Sequence, residues 1–300
     1  MARIVRFTSK AYFADIVLLS CTVIWGLNFS VTKYVLKHDF TPLAFIAPRF
    51  ALSTAIFTGL AFSRERTLMV DVRDFRILVG VGGFMIALNQ LTFIYAIDFT
   101  TASTVSLLFG TMPIWAALMS RYGGIRHWLG LGLSLTGVSL VILGAGGALS
   151  GSLGGLLLAL VPPATFAAYS IMLQPLVRRY SSLRVNALVS LAGCVPLLIA
   201  AGPQGVREHW SGINGLGWGG FAFSTVFAYA LTNVIWFHLV SHVGTARASI
   251  YVNLQPFLGA VFGVVLLAEH LTAVQAIGGI AIAASIVFVR WRRPLAAPVE

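Results

Sequence analysis

The chain has 300 residues, of which 58% are hydrophobic and only 10% are charged, and its mean hydropathy is +0.90. A water-soluble protein of this size could not cover its surface with polar atoms at that composition, so a soluble fold is excluded. The net charge of +11 would suggest a nucleic-acid partner in a soluble protein, but here the placement of the charges decides their meaning.

Five apolar segments occupy the first half of the chain. Crossing the hydrocarbon core of a bilayer takes about 20 apolar residues in a helix. The first segment follows a basic N-terminus, but it continues past Leu36 and is too long for the apolar core of a secretory signal. We therefore predict five membrane-spanning helices here, at about residues 14–36, 42–62, 74–98, 100–120 and 127–145.

A second set of five apolar segments follows, at about residues 154–177, 183–201, 215–240, 245–267 and 272–291. Because five is an odd number, the second set must enter the bilayer with the opposite orientation to the first. We predict an all-α integral membrane protein with ten transmembrane helices in two inverted five-helix repeats, an architecture typical of secondary transporters. The repeats comprise residues 1–145 and 154–300, the second with a short cytoplasmic tail, and residues 146–153 form an outer linker.

The basic residues are distributed unevenly between the two sides of this arrangement. Sixteen of the 20 lysines and arginines fall on the side of the N-terminus, whereas only Lys37 and Arg207 fall in loops on the opposite side. This asymmetry follows the positive-inside rule. It predicts a multi-pass protein of the inner (plasma) membrane with both termini in the cytoplasm, and it leaves no role for nucleic acid.

Polar and aromatic residues inside the predicted helices are the candidate substrate contacts. Trp25 and Asn28 are three residues apart and share one face of the first helix. Asn89 and Gln90 lie near the middle of the third helix. Polar residues at this depth face other helices or a wet cavity. Interhelical hydrogen bonding and substrate binding both explain them, and the sequence leaves both open.

The second half repeats these features in register. A shift of 141 residues places Asn28 on Tyr169, and a shift of 143 residues places Gln90 on Asn233. Trp236, in the eighth predicted helix, is a further aromatic candidate of the same kind as Trp25. We therefore predict that Tyr169, Asn233 and Trp236 contribute to the substrate site from the second half.

Two prolines and one arginine stand out within the predicted helices. Pro113 and Pro256 lie near the middle of the fourth and ninth helices, where each can kink the helix and take part in gating. Arg49 lies within the second helix, where a central arginine costs about 2.5 to 3.5 kcal/mol on insertion scales. We expect Arg49 to bind backbone carbonyls and waters as a structural tether, and contact with an anionic substrate is the alternative.

A set of short motifs accompanies these residues. It comprises Trp25-Gly26-Leu27-Asn28-Phe29, Lys33, Pro42, Arg49-Phe50, Pro113, Pro256, Ala268-Glu269, Leu271-Thr272, Gln275 and Gly278. With these motifs nearly the whole chain resembles transporters of the drug/metabolite transporter superfamily that carry EamA-type repeats. Many members have glycine where this chain has Ala268. The resemblance implies a central cavity built by the first four helices of each half, and it leaves the substrate undefined.

The expected function is a carrier that exports small metabolites by alternating access, with amino acids or similar amphipathic solutes favoured. The acidic residues and histidines map to loops and helix ends, which favours a facilitative mechanism over drug efflux by proton antiport. Motifs of enzymes and filters of channels are absent from the sequence, and a non-transporting scaffold would not need polar residues matched in depth. The expected partners are a small-molecule substrate and the lipid bilayer, with a homodimer possible; no cofactor, catalytic residue or metal site is expected.

Overall fold

The chain is helical throughout the part that the structure covers. The structure, a computed structural model, describes residues 2–119, 125–144, 153–236 and 251–290. These residues are 89% helical and include no strand. Most of the predicted linker at 146–153, the start of the predicted ninth crossing and the tail beyond residue 290 lie outside the described residues.

The helices follow one another with short connections. In chain order they are α1 (Ala2–His38), α2 (Pro42–Glu65), α3 (Val72–Phe99), α4 (Ala102–Phe109), α5 (Met112–Met119), α6 (Ile125–Gly144), α7 (Leu153–Arg179), α8 (Ser182–Arg207), α9 (Gly215–Trp236), α10 (Gln255–Leu267) and α11 (Ala273–Arg290). Six helices of the described ranges, α1, α2, α3, α7, α8 and α9, are long and apolar enough to cross a membrane, and shorter apolar helices accompany them. The predicted all-α membrane fold is confirmed to this extent, whereas the number of ten crossings and the inverted repeat remain predictions.

Helix breaks occur just before proline at three places. Residues 110–111 separate α4 from α5 ahead of Pro113, and residues 253–254 precede α10 and Pro256. A further turn at residues 159–160 lies within α7, directly before Val161 and Pro162. Proline has no N–H group and is tolerated in the first turn of a helix, and a new helical segment begins one residue before each of these prolines.

Two of the long helices contain a π-helical segment. In α3 it covers Ile77–Gly82, and in α9 it covers Phe223–Leu231. π-helical turns are rare and often occur at functional sites. The segment in α9 is the longer one, and it contributes several contacts to the candidate site described below.

The two halves of the chain share a hydrophobic core. Helix α6 packs against α11, α2 packs against α8, and α10 contacts both α1 and α4, while α3 contacts α7 and α8. Buried apolar residues from both halves form one cluster, which includes Phe29, Leu108, Val138, Ala260 and Ile282. Burial of apolar side chains against each other thus joins the halves across most of their length.

Polar contacts join the halves at both ends of the helices. At the end where α2 finishes, Arg184 Nη2 lies 2.8 Å from Glu65 Oε2 and Arg179 Nη1 lies 2.7 Å from Asp74 Oδ2. Arg179 also forms an ion pair with Asp71. We call this the ion-pair end.

At the opposite end, where α2 begins, backbone groups of the first half donate to side chains of the second. Thr41 N donates to Glu208 Oε2 over 3.0 Å, and Leu43 N donates to Gln204 Oε1 over 3.0 Å. Polar contacts between the halves are therefore present at both ends of the described helices.

Candidate functional site

The predicted residues of α1 lie against the π-helical segment of α9. Trp25 Nε1 donates to the carbonyl oxygen of Ala228 over 3.0 Å, and Ser224 Oγ donates to Asn28 Oδ1 over 2.7 Å. The rings of Trp25 and Trp236 are 5.1 Å apart between centroids. The structure thus brings Trp25, Asn28 and Trp236 together at the contact between α1 and α9.

Asn89 and Gln90 form a second polar group, between α3 and α7. Asn89 Nδ2 donates to the carbonyl oxygen of Pro162 over 2.8 Å and to Thr165 Oγ1 over 3.0 Å. Gln90 Nε2 donates to Asn89 Oδ1 over 3.1 Å, while Gln90 Oε1 is buried without a hydrogen-bond partner among the described residues. Asn89 therefore ties two helices together, and Gln90 keeps an unused acceptor.

Tyr169 and Asn233 make different contacts from Asn28 and Gln90, the positions that the sequence shifts relate to them. The hydroxyl of Tyr169 donates to Asn186 Oδ1 on α8 over 3.1 Å, so it faces a helix other than the one that Asn28 contacts. Asn233 Nδ2 donates to the carbonyl oxygen of Tyr229, one turn earlier on its own helix, over 2.6 Å. Positions that the sequence shifts relate therefore do not make equal contacts in the two halves.

Arg49 is buried between α2 and α9. Its side chain is 4% exposed, and its guanidinium carbon lies 5.4 Å from the ring centroid of Tyr229 and 6.0 Å from that of Phe45. Nε and Nη1 have no hydrogen-bond partner in the described part of the chain. These two nitrogens do not make the bonds to backbone carbonyls that a tether would use, so that role of Arg49 stays a prediction without a contact to support it.

A small cavity lies beside the breaks in the two halves. Its volume is about 20 Å³, and its lining includes Phe109, Gly110, Asn253, Gln255 and Pro256. A cavity of this size holds about one water molecule. Pro256 is part of its wall, whereas the side chain of Pro113 lies outside the described residues; gating by the two prolines stays a prediction.

A further polar cluster was not predicted from the sequence, although Glu269 and Lys33 belong to the motifs that carry the family resemblance. Glu269 accepts hydrogen bonds from Ala102 N over 2.8 Å, from Ser103 N over 2.8 Å and from Ser103 Oγ over 2.6 Å. Its carboxylate thereby caps the first turn of α4, where free N–H groups and the helix dipole favour an anion. The sequence at residues 101–103 indicates a helix start, but no local pattern points to a carboxylate 167 positions away.

Lys33 lies in the same region. Its Nζ donates to the carbonyl oxygens of Ile97 over 2.8 Å and of Asp98 over 2.9 Å, at the last turn of α3. Carbonyl oxygens at a helix end attract cations. Lys33 and Glu269 thus bind the end of α3 and the start of α4, on either side of the short connection between those helices.

The hydrogen bonds of Asn89 lead to a stability prediction. We expect Asn89→Leu to lower the free energy of unfolding by about 0.6 to 1.7 kcal/mol, the range measured for hydrogen bonds between membrane helices, because it breaks the tie between α3 and α7. Gln90→Leu should cost less, since Gln90 bonds only to its neighbour and the change removes an unpaired acceptor. Chemical unfolding of both purified variants in the same detergent measures the difference; equal losses would contradict the assignment of the tie to Asn89.

Comparison with known proteins identifies a family to which the sequence is similar. The model of the EamA-like transporter family matches the chain twice, over residues 12–143 and 153–291. One solved crystal structure has a similar fold, with a TM-score of 0.64 and 17% sequence identity, over 94% of this chain and 99% of that chain.

Several curated proteins are similar in sequence. An "Uncharacterized transporter" of Synechocystis sp. is 30% identical over 202 residues, which cover 60% of this chain and 60% of that protein, less than two thirds of either. The "Uncharacterized inner membrane transporter YedA" of Escherichia coli (strain K12) is 23% identical over 294 residues, 94% of each chain. An "Uncharacterized transporter" of Archaeoglobus fulgidus is 22% identical and covers 86% of this chain and 91% of its own.

Proposed function

The chain belongs to the EamA-like transporter family and is a multi-pass membrane transporter, and from this premise we propose that it exports small metabolites by alternating access. The observation that carries the proposal is the pair of helix breaks, at residues 110–111 and 253–254, that flank one small cavity. Broken helices that meet between two halves are typical of transporter binding sites near the middle of the membrane.

The proposed architecture is ten crossings in two inverted repeats. The double family match supports two repeats, and the shift of 143 residues that relates Pro113 to Pro256 also relates the two breaks. The same shift moves the π-helical segment at 77–82 onto residues 220–225, which overlap the segment in α9. Local irregularities that recur at one spacing are expected from a duplicated unit.

The proposed substrates are amino acids or similar amphipathic solutes. Trp25, Asn28 and Trp236 combine aromatic rings with an amide at one buried contact, as sites for small molecules commonly do. In this conformation Trp25 Nε1 and Asn28 Oδ1 are hydrogen-bonded within the protein. A substrate would have to replace these bonds, together with those of Asn89, Tyr169 and Asn233, as the halves move apart.

Flux measurements test this function directly. Proteoliposomes that contain only this protein should release a subset of a labelled metabolite panel faster than protein-free liposomes, with saturation and with counterflow at equal pH on both sides. Flux without saturation or counterflow would indicate a channel. A strict requirement for a pH gradient would favour proton antiport, and no flux for any member of the panel would contradict a transport function.

The proposed orientation, with both termini in the cytoplasm of an inner-membrane protein, gives a labelling prediction. We replace the buried Cys21 and Cys194 with alanine and introduce either Val206→Cys near the outer end of α8 or Met69→Cys between α2 and α3; the native side chains are 88% and 84% exposed. In intact cells an impermeant maleimide should label residue 206 and not residue 69. Permeabilised cells provide the control, because both should then react; the reverse pattern in intact cells would invert the topology.

A further inference from the structure

We propose that Arg49 binds the carboxylate of the transported solute, an inference that rests on the proposed function and names the class of its substrate. Arg49 is the one buried cationic residue among those whose side chains the structure describes. Nε carries one N–H group and Nη1 carries two, and neither nitrogen has a hydrogen-bond partner there. Buried donors are nearly always satisfied in native proteins, so three unused N–H groups on a buried cation point to an acceptor that arrives from outside.

The charge of Arg49 is also unpaired. The ion pairs formed by the described residues, those of Arg179 and Arg184, lie at the ion-pair end. A buried charge without a partner costs several kcal/mol, because the interior replaces neither its hydration nor its counter-charge. An anionic ligand would supply both, and its binding would therefore be favoured most at this position.

Aromatic rings define the surroundings of the guanidinium. The rings of Phe45 and Tyr229 lie within cation–π distance of it, and Tyr229 is itself packed against Phe50 and Phe57 at centroid distances of 5.7 and 5.8 Å. Ring faces attract the cation but accept none of its conventional hydrogen bonds. Such a wall suits a solute with an apolar or aromatic body attached to its anionic group.

The charge count favours a carboxylate over a phosphate. A carboxylate carries one negative charge and two acceptor oxygens, which matches a single guanidinium. A phosphate dianion would bring an additional negative charge into a site with no second buried cation among the described residues. Aromatic and branched amino acids and simple carboxylic acids fit both the charge and the rings.

The position of Arg49 between the halves allows access. Arg49 belongs to α2 in the first half, whereas Tyr229 belongs to the π-helical segment of α9 in the second. Separation of the two halves at this contact would expose the guanidinium, and their closure would enclose the bound carboxylate. The site is thus placed where alternating access would open and close it.

Binding measurements on matched pairs of compounds test the inference. The probes are benzoate against benzamide and L-phenylalanine against L-phenylalaninamide, added to the purified protein at constant ionic strength while its thermal unfolding is followed. Each carboxylate should raise the midpoint temperature of unfolding in a saturable way. Its apparent affinity should be at least tenfold higher than that of its amide partner, the factor expected from one charge-assisted hydrogen bond. An equal response to both members of each pair, or no response to either carboxylate, overturns the inference.

Variants assign the effect to Arg49. Arg49→Gln should lose at least tenfold in affinity for the carboxylates, and Arg49→Lys should retain part of it because a point charge remains without the planar fork. The control is Arg207→Gln at the exposed end of α8, which should leave both affinities unchanged. If Arg49→Gln does not fold, Arg49→Lys decides: unchanged affinity and unchanged preference over the amides would overturn the inference.

The flux experiment separates failure of this inference from failure of the proposed function. Equal transport of carboxylates and their amides would leave the function standing and overturn the role of Arg49. Carboxylate binding that depends on Arg49, without flux of any solute, would support the site and contradict the transport function.

Discussion

Replacing Glu269 with alanine is expected to lower the free energy of unfolding by about 3 kcal/mol. The change removes the carboxylate that accepts three hydrogen bonds. The donors Ala102 N, Ser103 N and Ser103 Oγ, at the first turn of α4, then lose this acceptor. Bonds to a charged group contribute about 1.5 to 3 kcal/mol each, and part of that loss is recovered if water reaches the freed donors. Chemical unfolding in detergent measures the effect.

The adjacent His270 provides the matched control for Glu269. Its side chain is exposed, and His270→Ala should leave stability unchanged within about 0.5 kcal/mol. The stability of Glu269→Gln should lie between those of Glu269→Ala and His270→Ala, because glutamine keeps one acceptor oxygen without the charge. A Glu269→Ala protein as stable as His270→Ala would show that the carboxylate does not hold α4.

Alanine at Gly137 or Gly278 should destabilise the pair formed by α6 and α11. A Cβ atom on Gly137 would lie 2.7 Å from the carbonyl oxygen of Gly278, and one on Gly278 would lie 2.6 Å from the carbonyl oxygen of Gly137. Because these neighbours are backbone atoms, the helices themselves must move apart, and overpacking of this kind costs about 1 to 3 kcal/mol. Membrane helices use small residues for such close approaches.

Gly132 on the same helix is the control for this second change. A Cβ atom there would meet no atom within 4 Å. Gly132→Ala should therefore be neutral or stabilise the helix by about 0.5 to 1 kcal/mol, since alanine loses less backbone freedom than glycine. Denaturation midpoints of the variants in one detergent make the comparison, and similar midpoints for Gly132→Ala and Gly137→Ala would refute the close contact.

The sequence was sufficient for the all-helical fold and for irregularity near Pro113 and Pro256, because both have local causes. Runs of apolar residues define where helices form in a membrane, and proline defines where a helix must restart. The shared face of Trp25 and Asn28 was also correctly anticipated, since positions three apart on a helix lie side by side, and both contact α9. Their role in substrate binding stays a prediction.

The partners of these faces could not be obtained in the same way. Asn89 and Asn233 lie close to equivalent positions, yet Asn89 crosses to α7 whereas Asn233 bonds to its own helix. The close approach of Gly137 to Gly278 likewise joins helices from distant parts of the chain. Periodicity identifies the face of a helix, but contacts depend on how helices from distant parts of the chain cross.

Ala268 affects the free energy of the contact between the adjacent Glu269 and the start of α4. Its φ of 51° lies in the left-handed region, which costs an L-residue with a Cβ atom about 1 to 2 kcal/mol and which glycine adopts freely. The hydrogen bonds of Glu269 offset that cost only while the carboxylate remains on α4. In the proposed alternating-access cycle, separation of the halves there would let the backbone at Ala268 relax. Opening would then cost less free energy than the hydrogen bonds alone imply, and this chain would open on that side more readily than a variant with glycine at the same position.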